Sequence, residues 1–102
     1  MDLREKIGFD WDRGNFRKNE KHGVTPEEVE QVFFNLPLLT TEDVLHSHDE
    51  PRFHAMGVTN QGRTLHVTFT LRQRGARIRP ISARPMSRNE RGIYEKETEA
   101  HS

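Results

Sequence analysis

The sequence predicts an α+β fold in which helices pack on one face of a small antiparallel β-sheet. Three segments in the second half of the chain alternate apolar and polar residues with the two-residue period of half-buried strands. The short turns between these segments force neighbouring strands to run antiparallel. Two other segments carry helix-start signals next to apolar residues at helical spacing. We therefore expect a single domain over residues 1–102, with the element order β-α-α-β-β-β-α.

The N-terminal part of the chain is predicted to form a short strand and a short helix. Residues 7–12 alternate three apolar side chains with glycine and aspartate, which is typical of a half-buried strand. Residues 15–22 have the composition of two helical turns, and Gly23 stands where a glycine commonly ends a helix. Lys21 and His22 would then lie at the helix C-terminus, where the helix dipole favours positive charge.

The second helix has a strong start signal. Thr25 is a favoured N-cap residue, Pro26 suits the first helical position, and Glu28 completes a capping box. The helix is expected to end near Asn35, ahead of Pro37. Three residues at helical spacing form its apolar face: Val29, Val32 and Phe33.

The next part of the chain is predicted to form an acidic loop and then three strands. The loop covers residues 42–51, and the strands begin at residue 53, with turns at residues 60–62 and at Gly75. Pro80 lacks a backbone donor, so we expect a bulge or a sheet edge in the third of these strands.

A terminal helix is predicted to begin at a second capping box, formed by Ser87 and Glu90. Ile93 and Tyr94 are expected on one side of this helix. We interpret residues 97–102 as a polar tail that follows it.

The composition predicts a small soluble domain that acts in the cytoplasm. The 102 residues are 31% hydrophobic and 31% charged, so the core is lean, and a partner is expected to cover part of the apolar surface. The chain has no cysteine, which fits a reducing compartment. No apolar run has the length of a membrane span, and the N-terminus is too charged for a signal peptide.

Charge is strongly polarised along the chain, although the formal net charge is zero. Residues 51–92 contain nine arginines, no lysine and one acidic residue, whereas residues 1–50 contain six basic and twelve acidic residues. The guanidinium group offers five donors in a rigid fork that matches phosphate. An arginine-only segment therefore favours a phosphate-binding surface, and the alternative is an arginine-rich solvated face of the sheet.

The arginines are expected to converge from two strands and the last helix. Arg77 and Arg79 share one strand face, and Arg72 belongs to the preceding strand. A bulge near the proline would shift the strand phase, so the sequence leaves the face of Arg84 open. The helix N-terminus offers donors of its own, and the helix adds two arginines three residues apart: Arg88 and Arg91.

The sequence indicates no metal and no cofactor. His46 stands two residues before another histidine in the acidic loop, but a lone pair of this kind is a weak signal for a metal. His54 and His66 alternate with apolar neighbours and are expected on exposed strand faces. The motifs of phosphate-binding loops, serine hydrolases and zinc proteases are absent from the sequence.

Four stretches of the sequence carry a family resemblance. They read FDWD at residues 9–12, NEKHGVTPEEVEQVFFN at residues 19–35, EPRFHAMGVTNQGRTLHVTFTLR at residues 50–72 and RIRPISARPMSRNERGIYE at residues 77–95. Across roughly residues 7–95 the chain resembles the BrnT toxins of bacterial type II toxin–antitoxin systems. The specific part is the ISAR block followed by a helix with the motif E-R-x-x-Y-E.

The resemblance implies a RelE-like fold and an endoribonuclease that inhibits translation by cutting RNA. It also implies neutralisation by a BrnA-type antitoxin with a ribbon-helix-helix DNA-binding half, whose complex represses its own operon. An acidic segment of the antitoxin is expected opposite the arginines. One alternative is a non-catalytic module that holds RNA or an acidic partner on its arginine-rich face, with tight, salt-dependent binding and no product. A further alternative is a structural partner whose arginine-rich face mainly receives an acidic protein, which would bind RNA weakly even at low salt.

Cleavage through a 2′,3′-cyclic phosphate needs a base for the 2′-hydroxyl, stabilisation of the phosphorane and an acid for the 5′ oxygen. The resemblance points to Arg84, in the ISAR block, as the catalytic arginine, and we expect Arg72 to assist it at the phosphorane. Five other arginines are expected to bind RNA: Arg52, Arg77, Arg79, Arg88 and Arg91. The sequence contains no unambiguous acid–base pair, so the candidates for proton transfer are, in order, His22, Tyr94, Glu50 and Lys21.

Overall fold

The computed structural model describes residues 8–18, 20–47 and 49–99. The helices in these ranges are α1 (Arg13–Lys18), α2 (Pro26–Phe34) and α3 (Arg88–Glu99), and short 3₁₀ turns cover Glu20–His22 and Val44–His46. The strands are β1 (Gly8–Phe9), β2 (Leu39–Glu42), β3 (Arg52–Val58), β4 (Thr64–Arg72) and β5 (Arg77–Pro85). Within the described part of the chain, none of the helices has the length and apolar character to cross a membrane.

The strands form one mixed sheet with the order β1-β5-β4-β3-β2. The β2–β3, β3–β4 and β4–β5 pairs are antiparallel, whereas β1 runs parallel to β5. The predicted α+β class is confirmed. The sheet differs from the predicted one in two respects, since β1 joins in parallel and Leu39–Glu42 adds an edge strand where the sequence indicated the start of a loop. A parallel neighbour is possible because most of the chain connects β1 to β5.

One face of the sheet and α2 together form the hydrophobic core. The predicted apolar face of α2 is confirmed, because Val29, Val32 and Phe33 are all buried. A Cβ atom on Gly57 would lie only 2.9 Å from Cγ1 of Val32, so the close packing of β3 against α2 requires glycine at this position. The sheet contributes its own alternate side chains to the core: Ala55, Leu65, Val67, Phe69, Ile78 and Ala83.

The segment before α2 is divided into two short elements. The helix predicted over residues 15–22 is observed as α1 and the 3₁₀ turn Glu20–His22, and Asn19 between them lies outside the described residues. Gly23 follows with a φ angle of +67°, which confirms the predicted glycine stop. Ile7, in the predicted first strand, also lies outside the described residues.

Capping boxes begin both longer helices, as predicted. At α2, Oγ1 of Thr25 accepts a hydrogen bond from the amide of Glu28, and the Glu28 carboxylate accepts one from the amide of Thr25. At α3, Ser87 and Glu90 make the same reciprocal pair. These side chains therefore occupy N–H groups at the start of α3 that we had expected to be open to a phosphate.

A β-bulge at Ile81 determines the side of the sheet on which Arg84 lies. Two consecutive residues of β4 pair with Pro80 and Ser82, so Ile81 between them has no partner on β4. The prediction of a bulge near Pro80 is thereby confirmed. Because the extra residue shifts the alternation by one position, Arg84 shares a face with Arg79, on the side opposite the core.

Helix α3 begins on the face of the sheet opposite to α2. Its residue Glu90 contacts His66, whose neighbours on β4, Leu65 and Val67, point into the core. The helices are therefore not confined to one face as the sequence predicted, because Glu90 is held by polar side chains on the far side of the sheet.

The rest of α3 differs from the sequence prediction in two ways. Tyr94 is 5% exposed and donates a hydrogen bond to the carbonyl oxygen of Pro37, whereas Ile93 is 45% exposed, so the two do not share a buried side. The helix continues to Glu99, so the start of the predicted polar tail is helical. Residues 100–102 lie outside the described ranges.

Candidate active site

The face of the sheet opposite the core is polar, and its side chains form rows across the strands. From one end to the other, the register gives the rows Arg72–Arg77, Arg52–Thr70–Arg79, His54–Thr68–Ser82 and Met56–His66–Arg84. Successive rows are two residues apart along a strand, or about 6.5–7 Å. Four arginines therefore lie at one end of the polar face, and two histidines and Arg84 lie at the other.

A series of hydrogen bonds crosses the histidine end of the polar face. It joins six side chains, which we call the histidine chain: Arg84, Glu90, His66, His54, Asp43 and His46. Nη1 and Nη2 of Arg84 donate to the two carboxylate oxygens of Glu90, at 2.6 and 2.9 Å. Oε2 of Glu90 lies 2.5 Å from Nδ1 of His66, and Nε2 of His66 lies 2.9 Å from Nδ1 of His54.

The second half of the histidine chain leads to the protein surface. Nε2 of His54 lies 2.9 Å from Oδ2 of Asp43, and Nδ1 of His46 lies 3.0 Å from the same oxygen. Asp43 therefore bridges two imidazoles. One of them, His54, belongs to the sheet, and the other, His46, belongs to the 3₁₀ turn.

Local capping interactions position the two carboxylates of the histidine chain. Oδ1 of Asp43 accepts from the amide of His46 at 3.2 Å, which fixes Asp43 at the start of its 3₁₀ turn. Oε1 of Glu90 accepts from the amide of Ser87 at 2.8 Å, within the capping box of α3. Each carboxylate is therefore held by its own backbone turn before it reaches a histidine of the sheet.

Both carboxylates of the histidine chain are held in the ionised state. Hydrogen bonds from Arg84 hold the pKa of Glu90 far below its ordinary value of 4.5. Desolvation acts to raise the pKa of Asp43, but hydrogen bonds from His54 and His46 outweigh it, so this pKa also lies below its ordinary value. Burial lowers the pKa of His66, although Glu90 partly opposes that effect.

His46 is the exposed end of the histidine chain. Both ring nitrogens of His54 and of His66 lie within hydrogen-bonding distance of another side chain. Nδ1 of His46 faces Asp43, whereas its Nε2 has no partner among the residues that the structure describes. The His46 side chain is 65% exposed. An imidazole with one nitrogen held by a carboxylate and the other open to solvent has the arrangement of a general base.

A groove runs from His46 toward the arginine end of the polar face, and we call it the Arg52 groove. Its first part is a cavity of about 230 Å³ lined by His46, Asp49, Glu50 and Arg52. Its second part, of about 370 Å³, shares Glu50 and Arg52 and is completed by Gly14, Asn15, Lys18, Arg79, Pro80 and Ile81. Within residues 8–18, 20–47 and 49–99, the Arg52 guanidinium has no hydrogen-bond or ion-pair partner. Its donors are therefore available to an anion.

The other arginines at this end of the polar face are tied to neighbouring groups. Arg72 forms an ion pair of 3.1 Å with Glu50, and Arg79 forms one of 2.7 Å with Asp12. Arg77 donates to a backbone carbonyl of β1 at 3.2 Å. Ion pairs at a solvent-exposed surface contribute little free energy. The side chains of Arg72 and Glu50 are both 43% exposed, so a phosphate can replace Glu50 at Arg72 at small cost.

Arg84, in contrast, is fully engaged with Glu90. Its guanidinium makes the bidentate pair described above, and Nη2 also lies 3.2 Å from Nδ1 of His66. The side chain is 43% exposed. Arg84 thus lies two rows away from Arg52 and reaches the Arg52 groove only through the histidine chain.

The predicted proton-transfer residues lie in three different places. Glu50 lines the Arg52 groove. Tyr94 is buried with its hydroxyl bonded to Pro37, and burial raises its pKa. Lys21 and His22 are exposed in the 3₁₀ turn before α2, and their side chains make no hydrogen bond or ion pair within the described part of the chain. The structure therefore brings Glu50 to the groove but not the other three.

Arg88 and Arg91 are exposed on α3, away from the Arg52 groove. Neither side chain has a partner among the described residues. Arg88 lines a separate open cavity of about 570 Å³ along the outer side of the helix, together with Asn89, Gly92, Ile93 and Lys96. Their predicted part in RNA binding stays a prediction.

Sequence reasoning missed the functional candidates Asp43, His46, His54 and His66. His54 and His66 were expected on exposed faces and are instead only partly exposed, with 29% and 15% of their side chains accessible. Their parity on adjacent strands placed both on the polar face, but only the register of β3 with β4 brings them into contact. The described residues contain no cluster suited to a metal, and His48 of the HxH pair lies outside them.

The groove brings an open imidazole nitrogen and an unpaired guanidinium together within the described residues, which suits chemistry on a phosphate-containing chain such as RNA. Comparison with protein families gives the class. A family model described as the ribonuclease toxin BrnT of type II toxin–antitoxin systems matches residues 11–90. The chain therefore belongs to the BrnT family, and it is a ribonuclease toxin with RNA as its substrate and an antitoxin as its partner. The family resemblance and the enzyme class predicted from the sequence are confirmed. A search of curated proteins gives no match.

Proposed function

We propose that the Arg52 groove binds single-stranded RNA and that His46 initiates its cleavage. One observation supports this: His46 and Arg52 line the same cavity of about 230 Å³. Among the described residues, neither Nε2 of His46 nor the guanidinium of Arg52 has a hydrogen-bond partner. A base and a phosphate-binding cation in one small cavity supply two of the groups that attack by a neighbouring hydroxyl requires.

The rest of the polar face supplies a path for the RNA on one side of the cleavage point. Beyond Arg52 lie Arg79 and Lys18, which line the second part of the groove, and then Arg72 and Arg77 in the outer row. The rows repeat about every 6.5–7 Å, a spacing comparable with that of successive phosphates in an extended single strand. Cationic grooves of this kind hold single-stranded RNA through its backbone.

In the proposed reaction, Nε2 of His46 takes the proton from a 2′-hydroxyl. The 2′ oxygen attacks the adjacent phosphorus, a new P–O bond forms, and the bond from phosphorus to the 5′ oxygen breaks. The 5′ oxygen leaves with a proton from solvent, so the products carry a 2′,3′-cyclic phosphate and a 5′-hydroxyl. Arg52 stabilises the charge of the phosphorane, and Asp43 stabilises the imidazolium that forms on His46.

Arg84 has a positioning role in this scheme. We expected Arg84 at the phosphorane, but it lies two rows from Arg52 in the strand register, and its guanidinium is paired with Glu90. Arg84 fixes Glu90, which fixes His66 and, through the rest of the histidine chain, Asp43. Arg72 acts nearer the groove, because its partner Glu50 is part of the groove wall.

We also propose that the antitoxin is of the BrnA type and that it covers the Arg52 groove with an acidic segment. Lys18 and Arg52 line the groove, and neither cation has an ion-pair partner among the described residues, which favours an acidic partner. The ribbon-helix-helix half of the antitoxin would bind operator DNA, so the toxin meets DNA only through the complex. The released toxin would act in the cytoplasm, where cutting RNA stops translation.

The test is cleavage of a single-stranded RNA by the purified protein and two single variants. We expect His46→Gln to lower the rate by roughly 10²–10⁴, the usual contribution of general base catalysis. Arg52→Gln is expected to weaken RNA binding as well as the rate, and to reduce the salt dependence of binding. The products should carry a cyclic phosphate end that mass spectrometry identifies.

His22→Gln is the matched comparison for His46→Gln, because both histidines are exposed in 3₁₀ turns and the sequence favoured His22. Cleavage that is lost in His22→Gln and kept in His46→Gln would refute the assignment of the base. Tight binding without any product from the wild-type protein would favour the non-catalytic alternative for this chain.

A further inference from the structure

Two histidines of the histidine chain are clamped between two carboxylates. Three short contacts connect the four groups: Glu90 to His66 at 2.5 Å, His66 to His54 at 2.9 Å, and His54 to Asp43 at 2.9 Å. Carboxylate oxygens and unprotonated ring nitrogens are acceptors, so each contact needs one hydrogen between its two atoms. The three contacts therefore require three protons.

Two neutral imidazoles carry only two N–H hydrogens between them. Every way of placing these two leaves one of the three contacts with lone pairs facing each other at 2.5 or 2.9 Å. Two flanking donors lie nearby, since Arg84 reaches Nδ1 of His66 and Thr68 reaches Nδ1 of His54, both at 3.2 Å. Neither of their hydrogens can lie between the facing atoms, so they do not remove the repulsion.

We infer that the His54–His66 pair binds one additional proton in the folded protein and is a cation held between Asp43 and Glu90. The role that this proton has for His46 rests on the proposed function, whereas the proton count does not. The two carboxylates are the alternative positions for the third proton. They are disfavoured because hydrogen bonds hold both of their pKa values below the ordinary range.

The charges around the pair balance when it carries this proton. Glu90 approaches from α3, Asp43 from the 3₁₀ turn, and Arg84 from β5. The two negative charges are then matched by Arg84 and by the pair, while His46 faces the far side of Asp43. Burial lowers the pKa of His66, which disfavours the added proton on that ring itself.

The distribution of the hydrogens follows from the same contacts. A neutral His66 with its hydrogen on Nδ1 donates to Glu90 and accepts at Nε2. His54 then carries N–H on both nitrogens and donates to His66 and to Asp43. Loss of the added proton leaves one of the three contacts without a hydrogen, so an unbroken series of hydrogen bonds no longer connects Glu90 to Asp43. His54, His66 and Glu90 are therefore positioning residues for the proposed base.

The measurement is ¹⁵N NMR of the imidazole nitrogens in the apo protein as a function of pH. At about pH 7.5 an ordinary histidine is mostly neutral, because its pKa lies near 6.5. We expect His54 and His66 together to show three protonated nitrogens at that pH. Two protonated nitrogens would overturn the inference.

Asp43→Asn tests the inference most directly, because it changes the acceptor at one end of the His54–His66 pair. The amide of asparagine can donate to Nε2 of His54, which provides the third hydrogen without an added proton. The pH midpoint at which the pair loses its proton is expected to fall by about 1–3 units, the usual effect of removing a neighbouring opposite charge. An unchanged midpoint would contradict the inference.

Glu42→Gln is the matched control, because it removes one negative charge next to Asp43 from an exposed side chain that makes no contact with the pair. Its midpoint should stay within a few tenths of a unit of the wild type, since exposed charges are well screened. If Asp43→Asn does not fold, Glu90→Gln makes the same test from the other end, because glutamine can donate to Nδ1 of His66. A wild-type protein with three protons that fails to cut RNA would refute the proposed function and leave the proton count intact.

Discussion

The two faces of the sheet are stabilised by different means. Apolar side chains of the core face pack against α2, and Leu65 and Val67 are fully buried there. Such packing tolerates replacement by other apolar residues of similar shape and volume. The polar face is held at one end by the histidine chain, in which each contact joins two specified side chains at hydrogen-bonding distance. The core face therefore determines whether the chain folds, and the polar face determines which groups meet the RNA.

This division has a thermodynamic consequence. Burial of apolar area does not depend on protonation, whereas each link of the histidine chain does. Substitutions on the core face should lower stability equally across the neutral pH range, and substitutions on the polar face should have effects that change with pH.

The largest effect on stability is expected from Leu65→Ala on the core face. Leu65 is 0% exposed, and removing its side chain should lower the free energy of unfolding by about 2–5 kcal/mol through lost burial and a cavity. Urea denaturation on both sides of neutral pH should give the same loss. Leu71→Ala is the control on the same strand, because Leu71 is 38% exposed and should lose clearly less. Equal losses for the two variants would contradict this description of the core face.

A smaller and pH-dependent effect is expected from Glu90→Gln on the polar face. We expect a loss of about 1–2 kcal/mol at neutral pH, below the upper range for a charged hydrogen bond because Arg84 is partly exposed to screening solvent. The folded-state pKa of Glu90 lies below its ordinary value of 4.5, so its stabilisation is complete above that pH and declines as the pH falls below it. Denaturation at a series of pH values should therefore show the two proteins converging under acid. A difference that persists unchanged into strong acid would refute the role given to this pair.

The smallest effect is expected from Thr25→Ala, which removes the N-cap of α2, the helix that packs on the core face. Loss of the N-cap should lower the free energy of unfolding by about 1 kcal/mol, because one amide of the first turn of α2 loses its acceptor. Thr40→Ala on the exposed edge strand is the control, and thermal unfolding compares the two. A loss at Thr40 as large as that at Thr25 would remove the cap as the explanation.

Local patterns predicted the parts of the fold that depend on neighbours in sequence. The start of α2, its buried face and the bulge beside Pro80 follow from capping chemistry, helical spacing and the missing donor of proline. The parallel position of β1 and the edge strand β2 could not be predicted in this way. Each of these strands pairs with a segment elsewhere in the chain, and the pattern of a short stretch of sequence does not show which segment that is.

The candidate site divides in the same manner. Arg52 and Glu50 were predicted from residue type and both line the Arg52 groove. His54 and His66 are twelve residues apart in sequence and meet only through the register of β3 with β4. His46 is a candidate base because Asp43 faces its Nδ1. The position of Asp43 depends on a 3₁₀ turn that the acidic composition of the loop did not predict.

The bulge at Ile81 makes the length of β5 as important as its composition. Side chains alternate between the two faces of a strand, so one extra residue between Pro80 and Ser82 moves every later side chain to the opposite face. Deleting Ile81 would leave the composition of the ISAR region almost unchanged, yet it would turn Arg84 toward the core and Ala83 toward solvent. The number of residues between Pro80 and Arg84 is therefore under tighter constraint than their identities, whereas the hairpin turns at Gly62 and Gly75 can accept a change of length.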